Sequence, residues 1–149
     1  MLQQFSIIEL IKQIQKTVLS GTGKKCYDHV EKGQASPFYY AELVQTKPAN
    51  TKTMYVTEYT VNIHVVSESG KTSVPLLKEI QALEEAMTVD IDIPEPYELI
   101  YQMYNGIQST YKEKDTNEKH AVLNYTFYFF YLIQGSLNKK LVMHLKNYP

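Results

Sequence analysis

The chain has 149 residues, 44% hydrophobic and 21% charged, with a formal net charge of -1. That length suits one domain with a sizeable core, and the near-neutral charge excludes a global basic field for nucleic acid. All 15 basic residues are lysine, so arginine's bidentate reading of guanine or phosphate is missing as well.

Phe5, Ile8, Leu10, Ile11, Ile14, Val18 and Leu19 recur at three- and four-residue steps. Gln3, Gln4, Glu9, Lys12, Gln13 and Lys16 cover the other side, so the spacing predicts an amphipathic helix over about residues 3 to 19. Ser20-Gly21-Thr22-Gly23 ends it, with glycine as the left-handed stop residue. Met1 to Lys16 lacks the basic opening of a signal peptide, and no run approaches the ~18 apolar residues of a membrane span. An intracellular site of synthesis and no membrane partner are expected.

Residues 24 to 37 read as a loop with room for a short strand at Lys25 to His29. Pro37 to Thr46 is aromatic and β-favouring, which predicts a strand with Phe38 to Tyr40 divided between its faces. Lys47 to Thr51 is the turn. Tyr55, Thr57, Tyr59, Val61, Ile63 and Val65 then alternate with Val56, Glu58, Thr60, Asn62 and His64, the period of a half-buried strand. Ser73 and Pro75 open a second helix at about 73 to 88, with Leu76, Leu77, Ile80, Leu83 and Met87 as its apolar face.

Val89 to Pro96 alternates briefly before its prolines. Tyr97, Leu99, Tyr101 and Met103 alternate again, with a strand continuing through Ile107 to Tyr111 and Gly106 marking a bulge. Lys112 to Lys119 is a charged hairpin tip, and Ala121, Leu123, Tyr125, Phe127, Phe129 and Tyr131 alternate after it. Gly135-Ser136 breaks that strand, and Leu137, Leu141, Val142 and Leu145 suggest a short final helix or an arm. The reading is α+β: an antiparallel sheet of about four strands in two hairpins, flanked by two helices. Residues 1–134 form the single domain and 135–149 a C-terminal extension. Tyr59, Val61, Ile63, Tyr101, Leu123, Tyr125 and Phe127 are the expected sheet core.

No constellation for catalysis stands out. His29, His64, His120 and His144 show no metal-ligand spacing, and His64 and His120 read as solvated. Asp90 and Asp92 would share one strand face, where a solvated edge is the simpler reading than a cation site. Cys26, the single cysteine, has no activating motif around it and permits no intrachain disulfide. Gly21-Thr22-Gly23-Lys24-Lys25 lacks phosphate-loop spacing and follows a helix where such a loop follows a strand. The 13 tyrosines and 5 phenylalanines sit with Glu42, Glu58, Glu98, Asn62 and Asn124 rather than with lysines. Core and protein-interface roles suit them better than a nucleic-acid platform. The residues thus point to no enzyme, no cofactor and no metal.

Four segments carry a family resemblance: "SPFYYAELVQ" after the first helix, the long strand "YTVNIHVVSES", the helix "VPLLKEIQALEEAM" and the aromatic strand "HAVLNYTFYFFYLI". In this order, over residues 3 to 134, the chain resembles the tail completion or tail terminator proteins of long-tailed phages and prophages. The resemblance implies an α+β protomer and a hexameric ring on the last ring of the tail tube. That ring stops tube growth and presents a surface to the head connector, while DNA only passes through. It implies a virion protein of the head-tail interface, assembled in the bacterial cytoplasm. Its partners are copies of itself, the tube protein and a head-completion protein. On that reading the ring contacts fall on loop 46–53 and tip 111–120, with Lys47, Lys52, Tyr111, Lys112, Lys114 and Lys119 as candidates. Two alternatives stand beside it: another head-tail or tube protein, and a small-molecule-binding domain with a pocket lined by Tyr59, Tyr101 and Tyr125.

Overall fold

A computed structural model describes residues 5–50 and 55–131 of the chain. Its elements run α1 (Ile7–Thr22), β1 (Cys26–Tyr27), β2 (Phe38–Pro48), β3 (Val56–Ser67), α2 (Val74–Ala86), β4 (Tyr97–Lys112) and β5 (Lys119–Tyr131). The final extension, residues 135–149, lies outside the described residues, as does Lys52.

Helix α1 starts where Ser6 Oγ accepts the Glu9 N–H at 3.3 Å and stops at Gly23, whose φ of 74° is left-handed. Leu10, Ile14 and Val18, one per turn, are its buried stripe. Helix α2 has Pro75 in its first turn and buries Leu76, Ile80, Leu83 and Ala86. Ser73 stands at its N-cap position but makes no side-chain cap bond. The two helices meet at Gly21, where any Cβ would collide with the Ala86 side chain. Glycine there is a matter of helix-to-helix distance, and the stop itself falls two residues later.

The sheet has five strands in the order β1-β2-β3-β5-β4. Four are the two antiparallel hairpins expected from the sequence, β2–β3 and β4–β5. The fifth, β1, is two residues long and pairs parallel with Tyr39 and Tyr40 of β2. Helix α2 carries the chain from β3 to the outer position of β4, and β5 returns between them. Both helices lie against one face. Tyr39, Tyr59, Val61, Ile63, Leu123, Tyr125, Phe127 and Phe129 pack there with the helix stripes into one core. Tyr59 donates its hydroxyl proton to the Phe5 carbonyl, and Tyr39 donates to Glu79 Oε2 on α2 at 2.6 Å. Glu79 also pairs with Lys24 Nζ at 2.5 Å. These two buried phenols have partners at the rim of the core, while the Tyr125 hydroxyl is buried without a hydrogen-bond partner.

Strand β4 departs from simple alternation. Its register against β5 shifts between Leu99 and Tyr101, between Tyr104 and Gly106, and between Ile107 and Ser109. The extra residue at the second shift, Asn105, turns its side chain toward β5, and Gly106 beside it has φ 96°. At the first shift the spare residue is Ile100, which joins Val56 and Phe130 in a small second cluster on the face away from the helices. That reversal overturns one core expectation. Tyr101 is 39% exposed and stacks on Tyr128 of the opposite face, ring centroids 4.3 Å apart. The other six expected core residues, Tyr59, Val61, Ile63, Leu123, Tyr125 and Phe127, are buried. Val89 to Pro94 forms no strand. Gln102 holds that loop instead, donating to the Met87 and Val89 carbonyls and accepting from the Ile91 N–H. Asp90 and Asp92 therefore share no strand face.

Candidate interaction surfaces

The helix-free face is polar at its centre. Asn105 Nδ2 donates to Asn124 Oδ1 at 2.8 Å and to Thr126 Oγ1 at 2.7 Å, and Asn124 Nδ2 donates to Asn62 Oδ1 at 2.7 Å. This ladder crosses β4, β5 and β3 and joins the buried Asn124 amide to half-buried Asn62 and exposed Asn105.

Aromatic rings flank the ladder on both sides. Toward the β4–β5 tip, Tyr40 stacks on His64 at 4.1 Å and Tyr111 stacks on His120 at 4.8 Å. His64 and His120 are thus shielded by rings, which corrects the reading of both as solvated. His64 is buried, His120 half-buried, and neither ring nitrogen of His120 has a hydrogen-bond partner. Burial holds His120 below its ordinary pKa although Glu113 and Glu118 pull the other way. Burial, Tyr111, Glu42 and Glu113 together push the Tyr40 phenol up to about 12. Phe38 and Tyr40 share this face, with Tyr39 alone on the helix side, so the three rings split two to one.

Beside these rings lies an open groove of about 1100 Å³. Loop 28–36 and the edge of β2 form one wall, and Glu113, Thr116 and Glu118 of the β4–β5 tip form the other. Phe38, Tyr40 and His120 line its floor. Sequence reasoning missed this groove. The available signal was Phe38 and Tyr40 at i and i+2, next to a loop holding Asp28 and Glu31.

The candidate contact residues fall into two groups. Tyr111, Lys112, Lys114 and Lys119 come together on the β4–β5 tip, where Tyr111 is exposed and Lys112 stands opposite Lys119 in register. Lys119 Nζ donates to the Thr72 carbonyl, tying the tip to the loop before α2. Lys47 is on strand β2 rather than in a turn, paired with Glu58 at 3.5 Å. Glu58 and Ser67 mark the two ends of β3, so Lys47 and Lys119 lie ~30 Å apart along the strand direction. Lys47 lies on β2, beyond the reach of two-residue β1, and Lys119 on β5, one strand inside the β4 edge. Strand β4 adds exposed Tyr101, Met103, Tyr104 and Ile107.

Nothing here gathers reagents. Cys26 is buried in the helix-side core, and burial, with Asp28 as the lesser cause, pushes its thiol up to about 12. His64 is on the other face and Asp92 in the loop before β4. Among the described residues, no group of three or more His, Cys, Asp or Glu is placed to hold a metal ion. Tyr59 and Tyr125 fill the core while Tyr101 is across the sheet, so the three do not line one pocket.

A family model described as "Putative tail termination protein" matches residues 1–135. The chain belongs to the phage tail terminator family. It is a structural protein of the virion tail, acting among other virion proteins, and not an enzyme. No curated protein matches this terminator. Among solved structures, a chain from the virion of a native gene transfer agent particle matches with a TM-score of 0.58. The two are 13% identical, and the match covers 85% of this chain and 99% of that one. At that identity the likeness is one of fold.

Proposed function

We propose that this terminator caps the tail tube, ends its polymerisation and joins the tail to the head connector as a hexameric ring of its own copies. One observation carries the reading beyond the family. The sheet's two edges differ: one is β4, with exposed aromatic and apolar side chains, and the other is two-residue β1 with the stretch of β2 it leaves uncovered, which carries Lys47. Unlike edges favour head-to-tail contact between copies, and such contact closes into a ring when the rotation per copy divides a full turn. Of the candidate residues, Lys47 lies on that stretch of β2 and Tyr111 and Lys112 on β4, with Lys114 and Lys119 following in the tip and β5. Contact with a matching ring of tube protein adds effective concentration, so weak copy-to-copy contacts suffice. DNA passes through the opening without being read.

Electron microscopy of particles made without this chain tests the reading. Tails of uncontrolled length, or tails detached from heads, are expected, and normal virions would end it. Light scattering of the chain with tube ends should give the mass of six copies. Open filaments of the purified chain would indicate a tube protein instead.

A further inference from the structure

The groove beside Tyr40 is acidic as well as aromatic. Asp28, Glu31, Glu42, Glu113 and Glu118 line it, against Lys32 as its one lining lysine. His120 lines it as well, with both ring nitrogens buried and without a hydrogen-bond partner. The complementary segment is in the same chain. Residues 135–149 hold Lys139, Lys140 and Lys146, and none of the 16 acidic residues. Leu137, Leu141, Val142 and Leu145 lie between the lysines as apolar partners for an aromatic floor.

We infer that residues 135–149 of one copy dock in the acidic aromatic groove of a neighbouring copy, with Lys139 and Lys140 against Glu113 and Glu118. Geometry selects the neighbour. Strand β5 begins next to Glu118 and ends at Tyr131, so its own C-terminal segment starts ~40 Å away along the sheet. Lys139 and Lys140 follow Tyr131 by eight and nine residues, a reach of at most ~32 Å when fully extended. In their own chain they meet that wall only with residues 131–140 fully stretched and both side chains extended, a requirement a neighbouring copy's segment does not carry. The inference rests on the self-association proposed above and names a contact that would link successive copies.

The test uses a fluorescent peptide of residues 135–149, titrated by anisotropy into dilute, monomeric full-length protein. Saturable binding is expected, weakened about tenfold or more by Glu113→Lys with Glu118→Lys, and weakened by high salt. Glu85→Lys on the exposed side of α2 should change nothing. Circular dichroism of each variant separates lost binding from lost folding. No saturable binding up to about 1 mM, or binding indifferent to the paired groove variant, overturns the inference. The full chain carrying Lys139→Glu with Lys140→Glu should bind the peptide no better than wild type. Much tighter binding by that variant would mean the groove is filled by its own chain, which also overturns it. Closed rings without peptide binding would sink this contact and leave the ring standing, and peptide binding without rings would do the reverse.

Discussion

On the helix-covered face, Tyr59, Val61, Ile63, Leu123, Tyr125 and Phe127 pack against apolar helix stripes. One residue along each strand, the other face carries Thr60, Asn62, His64, Asn124, Thr126 and Tyr128. Burial does not separate the two, because His64, Asn124 and Thr126 are buried as well. The difference is how order is maintained. The first face relies on close packing, which tolerates no loss of volume. The second relies on paired amides and stacked rings, and it ends in exposed Met103 and in Tyr101 and Tyr111, exposed beside their stacking partners Tyr128 and His120. One face keeps the protomer folded and the other is suited to meeting proteins.

Substitutions sharpen this contrast. Phe127→Ala should cost ~3–5 kcal/mol in a denaturant melt, enough to unfold much of the chain. A loss under ~1 kcal/mol would show that this face is not the main store of stability. Gly21→Ala gains helix propensity but forces α1 away from Ala86. A net loss of ~1–3 kcal/mol in the same melt is expected. Asn124→Ala removes a partner from Asn62 and from Asn105, which keeps Thr126, and should lower stability by about 1 kcal/mol. An unchanged melt would show the ladder to be ornamental.

His120 gives a shallower, pH-dependent effect. Its folded pKa is lowered by burial from 6.5, so the unfolded chain binds the proton more readily. Its destabilising contribution is absent above about pH 6.5 and grows as pH falls from there toward the folded value. Glu113, Glu118, Tyr111 and His64 are the groups around it. His120→Asn should flatten the melting temperature between about pH 7 and pH 5.5, and an identical slope would assign the effect elsewhere. Met103→Ser should move stability by no more than ~0.5 kcal/mol while reducing recovery of joined particles. Full recovery would remove that part of β4 from any contact.

Much of the fold was legible because its signals are local. The period of two from Tyr55 to Val65 and from Ala121 to Tyr131 reports a sheet with one apolar face. The helix stripes and the Gly106 bulge are equally local. Tyr101 escaped because a spare residue at Ile100 resets which side each later side chain takes, and an alternating pattern cannot show where the count slips. Strand β1 showed only as room for a short strand at Lys25 to His29, because two residues carry no period. Asp90 and Asp92 alternate as a strand would, but Gln102 holds their backbone off the sheet through contacts distant in sequence. The groove is assembled from loop 28–36 and a tip some eighty residues later, so only its aromatic half was visible in the chain.

The asparagine ladder has one more consequence. Sliding β4 past β5 by a single pair would take Asn105 away from both Asn124 and Thr126, two buried polar side chains that would each lose a partner. The hairpin is thereby keyed to one setting, like a ratchet with a single notch. In the proposed ring such a key would matter, since every copy would offer its tip at the same level.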